Sequence, residues 1–218
     1  MGISKSKSQG LLGEPLVRAA LASYGFAPTR TQVGLILRYV ELLLLWNQKI
    51  NLTSLIRPRQ MLERHFGESI FAAQFVTLSS GRLADVGSGA GFPGLALKIA
   101  CPELSLVLVE ANHKKAAFLV EVKRLLGLEG VEVICSRMEE LAVRPGFVVF
   151  VSARAVGSFR QLLLWSSRAL PSNGKLLLWL GSDEAVRLAE TAGWAWRKPV
   201  PIPGSRRRVL LIGEPASG

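Results

Sequence analysis

Along the first third of the chain, apolar residues recur at three- and four-residue spacing. Over 15–24, 32–49 and 58–75 this is the pattern of amphipathic helices, clearest in Val33, Ile36, Leu37, Val40, Leu43 and Leu44. Residues 14–80 are therefore expected to form an all-helical region. The stretch before it, 1–13, alternates Ser, Lys and Gly without an apolar period and reads as a flexible tail. After Gly81 the pattern changes to short apolar runs at 82–86, 105–109, 131–135, 147–151 and 175–180, separated by helical stretches. Runs of this kind are the strands of a parallel sheet covered on both faces. At the end, 195–202 and 207–212 flank Pro203-Gly204-Ser205 and predict a closing antiparallel hairpin. The expected architecture is α/β, with a helical N-terminal region and a Rossmann-like core over 81–218.

Charge changes the picture more than composition does. Of 218 residues, 27 are Lys or Arg and 16 are Asp or Glu, a formal net charge of +11, which points to a polyanionic partner. More than half of the excess lies in residues 1–82, which carry ten basic and four acidic side chains. A hydrophobic fraction of 49% excludes a disordered chain. The longest uncharged apolar stretch near the N-terminus, 42–47, falls far short of the roughly 18 to 20 residues that span a bilayer, and no signal-like segment follows Met1. No membrane association is expected, and the location is expected to be cytoplasmic. Cys101 and Cys135 have neither zinc-ligand nor disulfide-framework spacing and read as reduced core thiols; no metal is expected.

The first of the apolar strands runs into Gly87-Ser88-Gly89-Ala90-Gly91-Phe92-Pro93-Gly94 and then a helix. Four glycines in eight residues let the backbone approach a ligand, and the first N–H groups of the helix point at whatever sits above the strand ends. Gly89, Gly91 and Gly94 also satisfy G-x-G-x-x-G, so a nicotinamide or flavin enzyme is an alternative. Asp85, two residues before the first glycine, favours a positively charged, amine-bearing ligand such as S-adenosylmethionine over a pyrophosphate, which it would repel. Glu110, at the end of the next strand, suits a ribose diol in either case. Glu139, after the third strand, lies where an adenine could sit against Met138.

These residues, with Trp46-Asn47-Gln-Lys-Ile-Asn51-Leu-Thr-Ser54, Arg64-His65-Phe-Gly-Glu-Ser69 and Ser152-Ala-Arg154-Ala155, resemble the bacterial small-subunit ribosomal RNA guanine-N7 methyltransferase family, once called glucose-inhibited division protein B (RsmG or GidB). The resemblance covers roughly residues 30–212. It implies the class I S-adenosylmethionine-dependent methyltransferase fold, with a mostly parallel seven-stranded sheet ending in an antiparallel hairpin. It also implies S-adenosyl-L-methionine as donor and, as substrate, guanine 527 in the helix 18 loop of 16S rRNA within the 30S subunit, acted on by a monomer. By motif position, Gly87, Phe92, Met138, Glu139 and Arg154 match the family's cofactor-contacting residues. Two departures stand out: Glu68 replaces the usual Asp after the histidine, and Leu180 stands where a strand normally ends in Lys-Gly.

Guanine N7 carries a free lone pair and no proton, so direct in-line displacement at a sulfonium methyl needs no general base. The expected donor pocket comprises Asp85, Gly87, Gly89, Gly91, Phe92, Glu110, Met138, Glu139 and Arg154. Arg154 is also the expected positioning residue for the reaction, and its alternative is a structural salt bridge. His65 is expected to hold a position rather than to catalyse. Arg57, Arg59 and Arg64, together with His65, form the expected RNA-facing corner, and Arg206-Arg207-Arg208 equally suits edge protection. The competing functions are a methyltransferase for another substrate and a non-catalytic cofactor-binding RNA protein.

Overall fold

The computed structural model describes residues 12–78, 80–155 and 157–216. Nearly all of the tail expected over 1–13 lies outside the described residues. Helix α1 (Glu14–Ala22) opens with Glu14 and Pro15 in its first turn and buries Val17, Ala20 and Leu21. Helix α2 (Arg30–Asn47) is fixed at its start by a capping box: the Thr29 hydroxyl accepts from Gln32 N–H, and the Gln32 side chain accepts from Thr29 N–H. It buries Val33, Ile36, Tyr39, Val40, Leu42 and Leu43.

The third apolar stretch is not one α-helix. It begins as α3 (Pro58–Met61), widens into a π-helical turn (Leu62–Gly67), returns to α4 (Glu68–Ile70) and tightens into a 3-10 turn (Phe71–Gln74). Gly67 lies directly beneath the Tyr24 ring, where any added Cβ would collide. Turns of this widened kind are frequent at functional sites.

The sheet contains β1 (Arg82–Val86), β2 (Ser105–Val109), β3 (Val131–Ile134), β4 (Phe150–Arg154), β5 (Lys175–Gly181), β6 (Trp194–Trp196), β7 (Val200–Pro201) and β8 (Arg208–Pro215). Its order is β3-β2-β1-β4-β5-β8-β6, with β7 also beside β8. The first five strands are parallel, while β8 runs antiparallel between β5 and the β6/β7 edge. The fourth strand lies three residues later than the apolar run suggested, because Leu83 of β1 pairs with Phe150 and Ala84 with Val151. The expected edge strand over 195–202 is broken into β6 and β7, which makes eight strands in place of seven. Pro199 sits at the break and Pro201 ends β7, and proline has no N–H to give to a ladder.

Alternation along the strands sends side chains into two apolar clusters. Leu177 and Trp179 of β5 join Leu83, Leu106 and Leu108 under α1, α2, α5 (Gly94–Ala100) and α6 (His113–Leu126). Leu176, Leu178 and Leu180 face α7 (Phe159–Ala169) and α8 (Ser182–Ala189). The N-terminal helices thus share one continuous core with the first face of the sheet. Fully burying each such leucine contributes about 1.5–3 kcal/mol relative to exposure. Of the two cysteines expected inside, Cys101 is half-buried, while Cys135 is exposed with its sulfur 3.1 Å from His113 Nδ1. It follows the edge strand β3, whose exposed end leaves it uncovered. Among the described residues, no helix is long and apolar enough to cross a membrane.

Candidate active site

The parallel strands point their C-terminal ends to one rim, and the glycine loop turns there. Gly87 N–H and Ser88 N–H both donate to the Val109 carbonyl, at 2.9 and 3.1 Å, so the turn is stitched to β2. Gly91 has φ +87°, and a Cβ there would strike the Tyr39 hydroxyl and Leu95. At Gly89, with φ +56°, an added Cβ would meet only the Gly87 carbonyl at 3.8 Å, so this part of the loop is open. The Tyr39 hydroxyl donates to the Ala90 carbonyl at 2.5 Å, fastening α2 to the loop.

Beside the loop is a cavity of about 270 Å³ over the ends of β1 and β2 and the segments after β3 and β4. Val86, Val109, Met138 and Leu162 give it apolar walls, while Ser136 and Glu139 place polar groups on its lining. Such walls fit an adenine, and the open backbone at Gly89 fits the rest of an adenosyl group. Of the expected donor-site residues, the cavity lining contains Gly87, Met138 and Glu139. It also contains Ser158, Gln161 and Leu162 at the start of α7, which the sequence reading did not single out. Their signal was the helix cap: the Ser158 hydroxyl accepts from Gln161 N–H at 3.4 Å.

Asp85 does not face this cavity. Its carboxylate is fully buried; one oxygen accepts from the Ser152 hydroxyl at 2.6 Å and the other from Gly94 N–H at 3.2 Å. It therefore joins β1, β4 and the start of α5, in contrast to the open, ligand-facing acid expected. Burial outweighs these hydrogen bonds and raises its pKa to about 7. Glu110 is also largely buried, and its two oxygens accept from Gly89 N–H at 2.7 Å and Asn112 N–H at 2.8 Å. The acid at the end of β2 thus holds the open part of the loop, and each oxygen keeps a lone pair for a diol.

Phe92 lies in an aromatic stack. Its ring stacks nearly parallel to Tyr39, at 5.2 Å, and to His65, at 4.5 Å. His65 Nε2 is 2.8 Å from the Thr53 hydroxyl, and Thr53 is itself clamped by Asn47, which accepts from Leu52 and Thr53 N–H groups and donates to the Thr53 carbonyl. The polar residues of the 47–54 segment therefore support the histidine that backs the glycine loop. Burial, aided by Arg154 and Arg64, lowers the His65 pKa to about 3, so the imidazole is neutral.

Arg154, at the end of β4, is held from within the protein. It donates to the Arg64 carbonyl at 2.7 Å and to Glu68 at 3.2 Å. Burial lowers its pKa, opposed by the Glu68 charge. Glu68 also takes Arg208, and its backbone carbonyl accepts from Trp179 Nε1 at 2.6 Å. Glu68 and Arg208 were not in the expected site, and they lie 140 positions apart in sequence. Arg57 and Arg59 are exposed at the start of α3, where Arg59 pairs with Glu63 at 2.8 Å. Leu180 is buried against the second core cluster, and Lys175 begins β5 at the opposite end, bound to Glu214.

The fold is that of the class I S-adenosylmethionine-dependent methyltransferases, and S-adenosylmethionine is the cofactor. A solved S-adenosylmethionine-dependent methyltransferase from Aquifex aeolicus has the same fold, with a TM-score of 0.61 and 16% identity over 72% of this chain and 93% of that one. YcgJ from Bacillus subtilis matches with a TM-score of 0.59 and 14% identity, covering 71% of this chain and 100% of that one. Residues 32–194 match the family model of rRNA small subunit methyltransferase G (GidB), and the chain belongs to that family. Relatives named ribosomal RNA small subunit methyltransferase G include one from Stenotrophomonas maltophilia, 38% identical over 92% of this chain and 97% of its own. Another, from Roseiflexus castenholzii, is 37% identical over 91% of this chain and 89% of its own.

Proposed function

We infer that this chain methylates N7 of a guanine in 16S ribosomal RNA of the small subunit, acting as a monomer in the cytoplasm. Bound S-adenosylmethionine supplies an electrophilic methyl on its sulfonium. Met138 and Glu139 take the adenine, Glu110 the ribose diol, and Gly87, Gly89 and Gly91 give the backbone room. Asp85 and Phe92 act on this pocket through the loop they brace. Arg154 positions the substrate side of the rim, and Arg57, Arg59 and Arg64 belong to the RNA footprint, with His65 holding its place behind them against the glycine loop.

The observation that carries this reading is the division of one rim into two halves. The cavity lies over the ends of β1 and β2 and the segments after β3 and β4, and beside it Arg154 and Arg208 gather on Glu68 over the ends of β4, β5 and β8. The state of the ionisable groups supports a transfer without proton abstraction. His65 is neutral but occupied by Thr53, and Asp85 has no open face. A lone-pair acceptor such as guanine N7 needs no base from either. The test is transfer of labelled methyl from S-adenosylmethionine to 30S particles from cells lacking the gene, with the modified base mapped. Labelling at guanine N7 is expected; cofactor binding without incorporation would refute the enzymatic reading.

A further inference from the structure

Over the ends of β4, β5 and β8, three guanidinium groups converge on one carboxylate. Arg208 donates to both Glu68 oxygens at 2.6–3.2 Å, Arg154 donates to one at 3.2 Å, and Arg64 Nε stands 4.0 Å away. The Glu68 side chain is 1% exposed, whereas those of Arg64 and Arg208 are 43% and 33% exposed. One buried negative charge thus faces three positive ones, and the surplus lies on the side open to solvent. Among the described residues the buried Nε of Arg64, a donor in the adjoining π turn, has no hydrogen-bond partner. An ion cluster that served only the fold would be expected to balance its charges and satisfy its donors. A surplus of fixed, planar donors is what an oxyanion requires.

We propose that Arg64, Arg154 and Arg208, gathered by Glu68, form a seat for one backbone phosphate of the substrate RNA beside the nucleotide to be methylated. The proposal rests on the RNA methyltransferase reading above. Glu68 is a positioning residue: it keeps three mutually repelling cations within reach of a single anion. Arginine suits the task because its planar fork matches two phosphate oxygens at once. The Arg154 bond to the Arg64 carbonyl ties the end of β4 to the π turn, so the seat is set before RNA arrives.

The carboxylate of the methyl donor shares the chemistry of a phosphate, and the test separates the two. Full-length wild type, Arg64→Gln and Arg64→Gln/Arg208→Gln are compared for binding to naked 16S RNA across a salt series, for cofactor affinity by calorimetry, and for Tm. Arg64→Gln should keep its Tm, because its Nε has no hydrogen bond to lose. It should weaken RNA binding about tenfold, and the double variant should lower the slope of log K against log salt by about 0.7, the value of one single-strand phosphate contact. Cofactor affinity should stay unchanged in both, and inorganic phosphate should compete with RNA for the wild type more strongly than for the double variant. A loss of cofactor affinity with an unchanged salt slope would overturn the proposal in favour of the donor's carboxylate. Unchanged RNA and cofactor binding would overturn it in favour of a purely structural cluster. Absence of methyl transfer by the wild type would count against the activity, while the difference in salt slope would still report on the seat.

Discussion

The imidazole of His65 lies flat on the ring of Phe92, with centroids 4.5 Å apart and planes within 10° of each other. Phe92 belongs to the glycine loop and His65 to the π turn that also carries Arg64. The contact therefore joins the cofactor half of the rim to the arginine half, through a side chain held neutral by burial.

That neutrality gives a pH signature. The His65 pKa falls from 6.5 to about 3, so its contribution to stability is present above pH 6.5 and is lost as the pH falls towards 3. The Asp85 pKa rises from 3.8 to about 7, so its contribution is full below pH 3.8 and is lost as the pH rises towards 7. The two slopes oppose each other between these limits. Asp85→Asn, which can still accept from Gly94 N–H, removes only the second slope. Its urea midpoint should climb more steeply than that of the wild type from about pH 4 to pH 6.5; parallel profiles would show that Asp85 ionises normally.

Tyr39→Phe keeps the stacked ring and deletes the hydroxyl that donates to Ala90. A buried carbonyl left without its donor costs about 1–3 kcal/mol. We expect a loss of that size in chemical denaturation together with weaker cofactor binding, because the loop loses its anchor to α2. Unaltered affinity would mean that the loop holds its shape without this tether.

Two loop glycines should respond differently. Gly91→Ala places a methyl against Tyr39 and Leu95 at a positive φ and should destabilise the protein by about 2 kcal/mol or more. Gly89→Ala makes only an ordinary contact with the Gly87 carbonyl at 3.8 Å, so its stability cost should be only that of the left-handed backbone, about 1–2 kcal/mol. Its cofactor affinity, read by calorimetry, should nevertheless drop sharply. Equal effects of the two substitutions on stability would contradict the open face at Gly89.

Arg154→Ala removes one of the two arginines hydrogen-bonded to Glu68 but leaves Arg208 in place. The expected stability loss is about 1.5–3 kcal/mol, the range for a hydrogen bond to a charged group. Methyl transfer to 30S subunits should fall much further than stability does at a temperature where the variant is fully folded. Lysine should rescue it poorly, because one ammonium does not reproduce a fork that reaches both Glu68 and the Arg64 carbonyl. Full turnover in Arg154→Lys would show that charge alone is needed.

Much of this architecture is legible in the sequence because it depends on local pattern. The change of period after Gly81 marks the sheet, and the glycine loop marks the rim. The start of β4 is not legible, because Phe147, Val148, Val149, Phe150 and Val151 form an unbroken apolar run that carries no register. Pairing with Leu83 and Ala84 sets it, and the strand continues through Ser152 because that hydroxyl meets Asp85. Within the candidate site, Gly87, Met138 and Glu139 could be placed from strand ends. Asp85 misled because a strand-end acid reads the same whether it faces a ligand or the core. The pairing of Glu68 with Arg208 spans most of the chain and leaves no local trace.

The break between β6 and β7 bears on how copies of the protein behave towards one another. A long, unbroken outer strand would offer its free N–H and C=O groups as a template on which another molecule could add its own strand. Here the outer edge comes in two short pieces, three residues and two residues long, with Pro199 and Pro201 withholding their N–H groups. A neighbour arriving at that edge finds too short a ladder to hold. At this side of the sheet the template for strand addition is thus kept short by residues remote from the cofactor cavity, and valines at the two proline positions would restore the missing N–H groups and lengthen it.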